Sequence, residues 1–274
     1  GMNLVLLAAD EVDKATADEE GLCILLGKGD RRSKHITGVL KPAAGASIRV
    51  GVVGRGVGSC RVTVIEDGGV RLAAGSKDSP KLELTPEPEP PHIELMLAMP
   101  RPKVMMRLYS SLAQLGVRRI VLTNAVRVEK PYFSSQAVEK SKYLPELQDG
   151  LEQAVSTRLP DVRVETRLKP FVEDALDALC PPDGLLRLLC HPGEGSMRIS
   201  EAVKCAPTPP HGILLAVGPE GGWVDFELEM LERKGFKRVS LGTLIFSTDV
   251  AVTALIALAA DALAEIGAVP LPRE

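Results

Sequence analysis

No pair of cysteines in the chain has CxxC spacing, and no cysteine–histidine cluster has the intervals of a zinc site. The five cysteines (Cys23, Cys60, Cys180, Cys190, Cys205) are scattered and odd in number, so they read as buried, reduced thiols. Long apolar runs are missing as well. Residues 4–9 are too few for a signal peptide, have no basic residue ahead of them and are followed by Asp10, Glu11 and Asp13. Residues 250–260 fall short of the ~20 that a membrane span needs. These absences point to a soluble, cytoplasmic protein with no metal and no membrane partner. Gly1 ahead of Met2 reads as an addition, with Met2 the native start.

A strong charge of one sign is also lacking. The net charge of −3 over 274 residues does not advertise a nucleic-acid binder. The charge is segregated, however. Residues 27–61 hold eight basic residues against Asp30 alone, and residues 101–130 hold seven against Glu129. Six acids crowd the first 26 residues, with Lys14 the only base. Basic clusters of this density can neutralise phosphates on a mildly acidic protein. Apolar content of 45% and charged content of 25% are those of an ordinary globular chain, long enough for two domains.

Residues 2–78 read as β. Short apolar or alternating runs at 4–7, 22–26, 47–53, 60–65 and 70–73 are separated by glycine-rich turns, which suggests a small barrel. Gly54, Gly56 and Gly58 lie between two of these strands with no helix after them, the setting of a hairpin turn and not of a nucleotide loop. Five prolines in residues 79–92 predict an extended, semi-rigid linker. From Ile93 the pattern becomes α/β. Strands are predicted at 93–99, 120–123, 162–165, 185–190, 213–217 and 239–241. The helices between them include one with Val104, Leu108 and Leu112 on one face, one opened by Pro145, and others at 171–179, 199–203 and 225–234. Alternation of this kind argues a mostly parallel sheet covered on both faces. The last helix, 248–266, is apolar nearly all round and should be buried on several sides.

Residues 213–251 are the centre of this domain. A strand leads into Gly218-Pro219-Glu220-Gly221-Gly222, then a helix, a second strand, Leu241-Gly242 and the last helix. Ligands of open α/β sheets bind at such strand-end turns. Three glycines in five residues let the backbone approach a ligand. No Lys-Ser/Thr pair follows them and no GxGxxG precedes the helix, so the turn suits a neutral or cationic ligand held by backbone groups.

The GPEGG turn, the later Leu-Gly turn and the helix start Thr248-Asp249-Val250-Ala251 resemble the RsmE family. These are SPOUT methyltransferases that methylate N3 of a uridine in small-subunit ribosomal RNA. Residues 31–50 resemble the family's N-terminal signature through Arg32, His35, Val39, Leu40 and Gly45, with Lys41 where Arg is usual. Cys190-His191-Pro192 fits a cofactor-side loop, and Glu152, Gln153 and Pro160 keep another segment's frame.

The resemblance implies a C-terminal trefoil-knotted SPOUT domain over residues 93–270 and an N-terminal PUA-like β-barrel over 2–78. It also implies a homodimer paired through the knot and ribosomal RNA or the small subunit as partner. S-adenosylmethionine would be the cofactor and S-adenosylhomocysteine its product, with no metal. The implied cofactor residues are His191, Pro192, Gly218, Pro219, Glu220, Gly221, Gly222, Leu241, Gly242, Leu244, Ile245 and Phe246. The implied RNA contacts are Arg31, Arg32, Lys34 and Lys41. Departures are concentrated at polar positions. Family arginines fall on Leu244, Ser247 and Ser156, a Lys and a Glu fall on Ser111 and Gln114, and a Glu falls on Asp249. Glu220 and Asp249 are therefore the candidate catalytic carboxylates, Asp249 being equally readable as a helix N-cap. Arg127 and Arg158 are the candidates to replace the missing arginines. The competing reading is an RNA-binding or assembly protein on the same fold that has lost catalysis.

Overall fold

A computed structural model describes residues 4–65 and 67–268. Gly1 and Met2, and the last two residues of the expected second domain, Val269 and Pro270, lie outside the described residues. The chain forms two compact units, Gly1–Pro88 with Gln148–Leu159, and Glu89–Leu147 with Pro160–Glu274. A boundary drawn along the sequence assigns residues 148–159 to the second unit. Their bonds run to the first. Glu152 accepts from the Leu6 N–H at 3.2 Å, the Thr157 carbonyl accepts from the Gly54 N–H at 2.8 Å, and the Thr157 N–H donates to Glu87 at 2.6 Å.

The first unit is a curled six-stranded sheet, a half-barrel, in the order β1-β4-β5-β6-β3-β2. Its strands are β1 (Val5–Leu7), β2 (Thr16–Asp18), β3 (Gly21–Leu26), β4 (Ser47–Val52), β5 (Gly56–Val64) and β6 (Val70–Ala74). β1 and β4 pair in parallel and the other pairs are antiparallel. Alternate residues turn inward, so Ile24 and Leu26, Val50 and Val52, Cys60 and Val62, and Val70 and Leu72 fill one core. The proline-rich stretch is extended, and it is also docked. Leu82 and Leu84 pack on that core, and Thr85 exchanges both backbone hydrogen bonds with Val57, at 3.0 and 2.8 Å. This explains the glycine run. Gly54 makes the hairpin turn at φ 72°, whereas a Cβ on Gly56 would lie 2.4 Å from the Thr85 carbonyl oxygen and one on Gly58 2.3 Å from that of Glu83.

An all-strand reading of residues 2–78 missed two helices, α1 (Ala9–Asp13) and α2 (Arg31–His35). Asp30 caps α2 by accepting from the Arg32 N–H at 2.8 Å. A π-turn, Ile36–Leu40, continues it, buries Ile36 and ends on Lys41 in the left-handed region at φ 43°.

In the second unit six parallel strands lie in the order β12-β10-β11-β7-β8-β9. They are β7 (His92–Ala98), β8 (Arg119–Thr123), β9 (Asp161–Glu165), β10 (Leu185–Cys190), β11 (Gly212–Val217) and β12 (Lys237–Val239). β11 is buried along its whole length, as a strand covered on both faces must be. The helices are α3 (Pro102–Gln114), α4 (Lys140–Ala154), whose residues from Gln148 on belong to the first unit, α5 (Leu168–Pro170), α6 (Leu176–Leu179), α7 (Ile199–Lys204), α8 (Asp225–Arg233) and α9 (Thr248–Glu265), with a π-turn, Phe171–Ala175, between α5 and α6.

Three expectations change. Pro145 does not open its helix but sits inside α4, which begins at Lys140 and stacks Tyr143 on Tyr109, ring centroids 5.0 Å apart. β12 ends at Val239, so Ser240 and Leu241 belong to the turn. α9 buries one face, from Val252 to Leu263, and leaves Val250 and Leu258 half exposed. Among the cysteines, Cys205 is exposed.

Candidate cofactor site

Register places the site. Cys190 of β10 pairs with both Val217 of β11 and Val239 of β12, so three strands end level and their turns leave side by side. The turn after β11 is tight. The Gly222 N–H donates to the Pro219 carbonyl at 2.7 Å with Gly222 at φ 76°. A Cβ on Gly218 would lie 2.9 Å from Nε1 of Trp223, an indole only 3% exposed. The turn after β10 is tied across by the His191 N–H donating to the Val239 carbonyl at 3.0 Å.

Between these turns and the start of α9 is a cavity of about 400 Å³, within the size range of small-molecule sites. All twelve residues proposed from the sequence to hold the cofactor line it, from His191 and Pro192 through the GPEGG turn to Leu241, Gly242 and Leu244–Phe246. Sequence reasoning left out Val217, Trp223, Val239, Ser240, Thr248, Ala251 and Leu255, which with Cys190 complete the wall. The Trp223 Nε1–H, buried beside Gly218, has no hydrogen-bond partner among the described residues. A ligand acceptor would satisfy it.

One buried carboxyl group ties together two segments next to the cavity. Glu227, 2% exposed, accepts from the Val224 N–H at 3.0 Å and the Val126 N–H at 2.7 Å. It joins the start of α8 to the loop after β8. That loop carries Arg127, whose guanidinium donates to the Gly221 carbonyl, so one of the two substitute arginines reaches the glycine turn. Glu227 was legible as a glutamate three residues into a helix, the spacing that caps an N-terminus. Its second bond, to Val126, was not.

The charges around the cavity are arranged in pairs. Glu220 meets Arg101 at 3.2 Å and Asp249 meets Arg107 at 4.0 Å. Asp249 is not the N-cap of α9. Ser247 is, and Asp249 lies in the first turn. The Ser247 hydroxyl, helped by backbone N–H groups of that turn and by Arg107, holds the Asp249 carboxyl below its usual value. Burial, with Arg238 adding to it, lowers His191 from 6.5 and keeps its ring neutral. Burial pushes the Cys190 thiol up to about 12, leaving it protonated. Among the described residues no group of His, Cys, Asp and Glu is placed to hold a metal ion.

The remaining candidates lie in the first unit. Arg158 does not line the cavity. It belongs to the half-barrel unit and donates to the Glu87 carbonyl at 3.0 Å. Arg32 is turned inward onto Glu11, Asp30 and the Leu6 carbonyl, its side chain 13% exposed, and this leaves it no donor face for a phosphate. Arg31 meets Asp149 at 2.8 Å and Glu152 at 2.7 Å. Lys34 and Lys41 are exposed and form no ion pair among the described residues.

An α/β domain whose glycine turn floors an apolar cavity at the carboxyl ends of parallel strands is the binding domain of a small organic cofactor. The profile of the RNA methyltransferase domain family matches residues 87–260. The chain belongs to that family and, within it, to the RsmE-type SPOUT enzymes. It is 26% identical over 257 residues to the ribosomal RNA small subunit methyltransferase E of Treponema pallidum, covering 94% of this chain and 90% of that protein. Two solved structures share the fold at a TM-score of 0.69. One is a methyltransferase of Legionella pneumophila in complex with SAM, 22% identical, covering 94% of this chain and 98% of that one. The other is a ribosomal RNA small subunit methyltransferase E of Neisseria gonorrhoeae bound to S-adenosyl methionine, 19% identical, covering 93% and 95%.

Proposed function

We propose that the protein is an S-adenosylmethionine-dependent methyltransferase that modifies N3 of a uridine in small-subunit ribosomal RNA. The observation that carries this reading is the apolar cavity between the three level strand ends, with Trp223 offering an unpaired N–H. The residues present fit the cofactor. The glycine turn offers backbone groups, Leu241 to Ile245 an apolar wall for the adenine, and neutral His191 no competing positive charge. When bound, the cofactor supplies an electrophilic methyl group and leaves as S-adenosylhomocysteine.

The chain's own work is to orient the base and take its proton. N3 of uracil carries a hydrogen, which must depart as the N–CH3 bond forms. Glu220, on the cavity lip, is the carboxylate positioned to accept it. Asp249, held below the usual carboxylate range by the Ser247 hydroxyl, pairs with Arg107 in the free protein. Lys34 and Lys41 contact the RNA backbone.

Two further features belong to this reading. β12 is hydrogen-bonded on both edges by one segment. His191 donates to Val239 on the β10 side, while Met197 donates to Arg238 and accepts from Ser240 on the other, at 3.1 Å each. Passage of residues 191–197 around β12 supports a knotted thread. The half-exposed Val250 and Leu258, with fully exposed Ile245, support a homodimer joined over this region. Among the described residues no helix is long and apolar enough to cross a membrane, and a role on ribosomal RNA would place the protein in the cytoplasm.

The test is incubation of the full chain with tritiated S-adenosylmethionine and small-subunit ribosomal RNA or subunits, followed by nucleoside analysis. Label in 3-methyluridine supports the proposal, and label in another nucleoside corrects the target. Cofactor binding with no label in any RNA would overturn it in favour of an RNA-binding protein that has lost catalysis.

A further inference from the structure

The carboxylate of Glu220 has cavities on both sides. Beyond the cofactor pocket a second space of about 630 Å³ opens, and Glu220, Ile245, Phe246 and Thr248 line both. What the second cavity adds is one side of α3. Arg101, Val104 and Arg107, spaced three apart, face into it, and Ser247 and Asp249 close it from the start of α9.

Its two guanidiniums differ from Arg119 and Arg127 in the same basic stretch. Arg119 is occupied by Glu94 at 3.2 Å and Asp161 at 3.1 Å with its side chain 22% exposed, and Arg127 by the Gly221 carbonyl. Arg101 and Arg107 are 67% and 71% exposed, and each meets a single carboxylate, at 3.2 and 4.0 Å. Exposed single pairs of this kind are weak and exchange readily for a better anion. A phosphate is a better anion, because its oxygens match the guanidinium fork. The opposite wall is apolar, formed by Ile245 and the partly exposed ring of Phe246, a surface on which a planar base can stack.

We propose that this cavity seats the target nucleotide, with Arg101 and Arg107 taking its phosphate, and that the exchange frees Glu220 from Arg101 to face the base. The inference rests on the methyltransferase reading, since it places the nucleotide against the cofactor pocket. It assigns the anchoring charge to α3 rather than to the loop before α9, and it makes the Arg101–Glu220 pair a weak contact that the phosphate of the nucleotide displaces.

The experiment is calorimetric titration of the full chain loaded with S-adenosylhomocysteine, using uridine 5′-monophosphate, uridine and inorganic phosphate as separate probes. Uridine 5′-monophosphate is expected to bind about tenfold or more tightly than uridine, and the double variant Arg101→Ala/Arg107→Ala to erase the difference. S-adenosylhomocysteine affinity stays within about twofold in that variant, which also shows that it is folded. With ribosomal RNA as substrate, Arg101→Ala raises KM and leaves kcat nearly unchanged, because Glu220 is already free, whereas Glu220→Gln lowers kcat. Equal binding of nucleoside and nucleotide, or a difference that survives the double variant, overturns the inference. So does inorganic phosphate binding as tightly as the nucleotide, which would indicate a bare anion site. Failure of S-adenosylhomocysteine to bind at all counts against the proposed function instead, and the nucleotide–nucleoside difference would still report on the arginines.

Discussion

Glu227→Gln should loosen the support beside the cofactor cavity without changing any residue that lines it. Both side-chain oxygens of Glu227 accept backbone N–H groups, from Val224 at 3.0 Å and Val126 at 2.7 Å, and the residue is 2% exposed. Glutamine has the same shape but only one acceptor, so its amide NH2 must face an N–H. One charge-assisted hydrogen bond, worth about 1.5–3 kcal/mol, is lost, and a part-buried donor is left without its partner. Because water can reach that donor in part, the loss is about 2 kcal/mol. At about 2–4 °C per kcal/mol for a domain of this size, the thermal midpoint should fall by roughly 4–8 °C. Because the Val126 loop carries Arg127 to the Gly221 carbonyl, S-adenosylmethionine affinity should fall with it. Differential scanning calorimetry with and without cofactor is the assay. A midpoint shift below about 2 °C together with unchanged cofactor affinity would refute the reasoning, since it would mean that water already serves those N–H groups.

Gly222→Val, which forces a branched side chain into φ 76°, should weaken S-adenosylmethionine binding by about 1–2 kcal/mol or more, some five- to thirtyfold. Gly221→Val should cost less, because its Cβ meets only the flexible Arg127 side chain, at 3.0 Å; calorimetric titration ranks the two. Arg32→Ala should destabilise the half-barrel unit by about 3 kcal/mol by stranding Glu11 and Asp30, measured by denaturant unfolding. Lys34→Ala with Lys41→Ala should leave stability unchanged and reduce the salt slope of RNA binding by about 2. His191, held below 6.5, contributes stability that is fully present above pH 6.5 and lost as pH falls through its lower folded value. Against His191→Gln, the pH dependence of the thermal midpoint should show that loss on the acid side only; a loss on the alkaline side would contradict the assignment.

What the chain reveals by itself is its local grammar. The apolar runs of β10 and β11, the proline- and glycine-marked turn at 218–222 and the amphipathic α8 are read within a few residues of each other. Chain connectivity alone then puts the turns at the strand ends, and so every residue proposed for the cofactor pocket lines one cavity. The half-barrel was legible for the same reason, through its period of two.

Tertiary structure decided whatever depends on partners distant in sequence. Whether Arg32 points outward to a phosphate or inward to Glu11 cannot be read from residues 31–50. Arg158 and Arg127 look alike in sequence, yet only Arg127 reaches the glycine turn, 94 positions away. Gly54, Gly56 and Gly58 read as a hairpin turn from the sequence, but only the fold shows that Gly56 and Gly58 also make room for the Glu83–Thr85 backbone. Arg101 and Arg107 carry no motif at all and become a site only because α3 and the start of α9 share a cavity wall. Periodicity and turn chemistry are properties of neighbouring residues, so the sequence alone determined the layers and the cofactor turn. The partner of a charge is set by which chain segments the folded sheet brings within a few ångströms, and that only the folded structure determines.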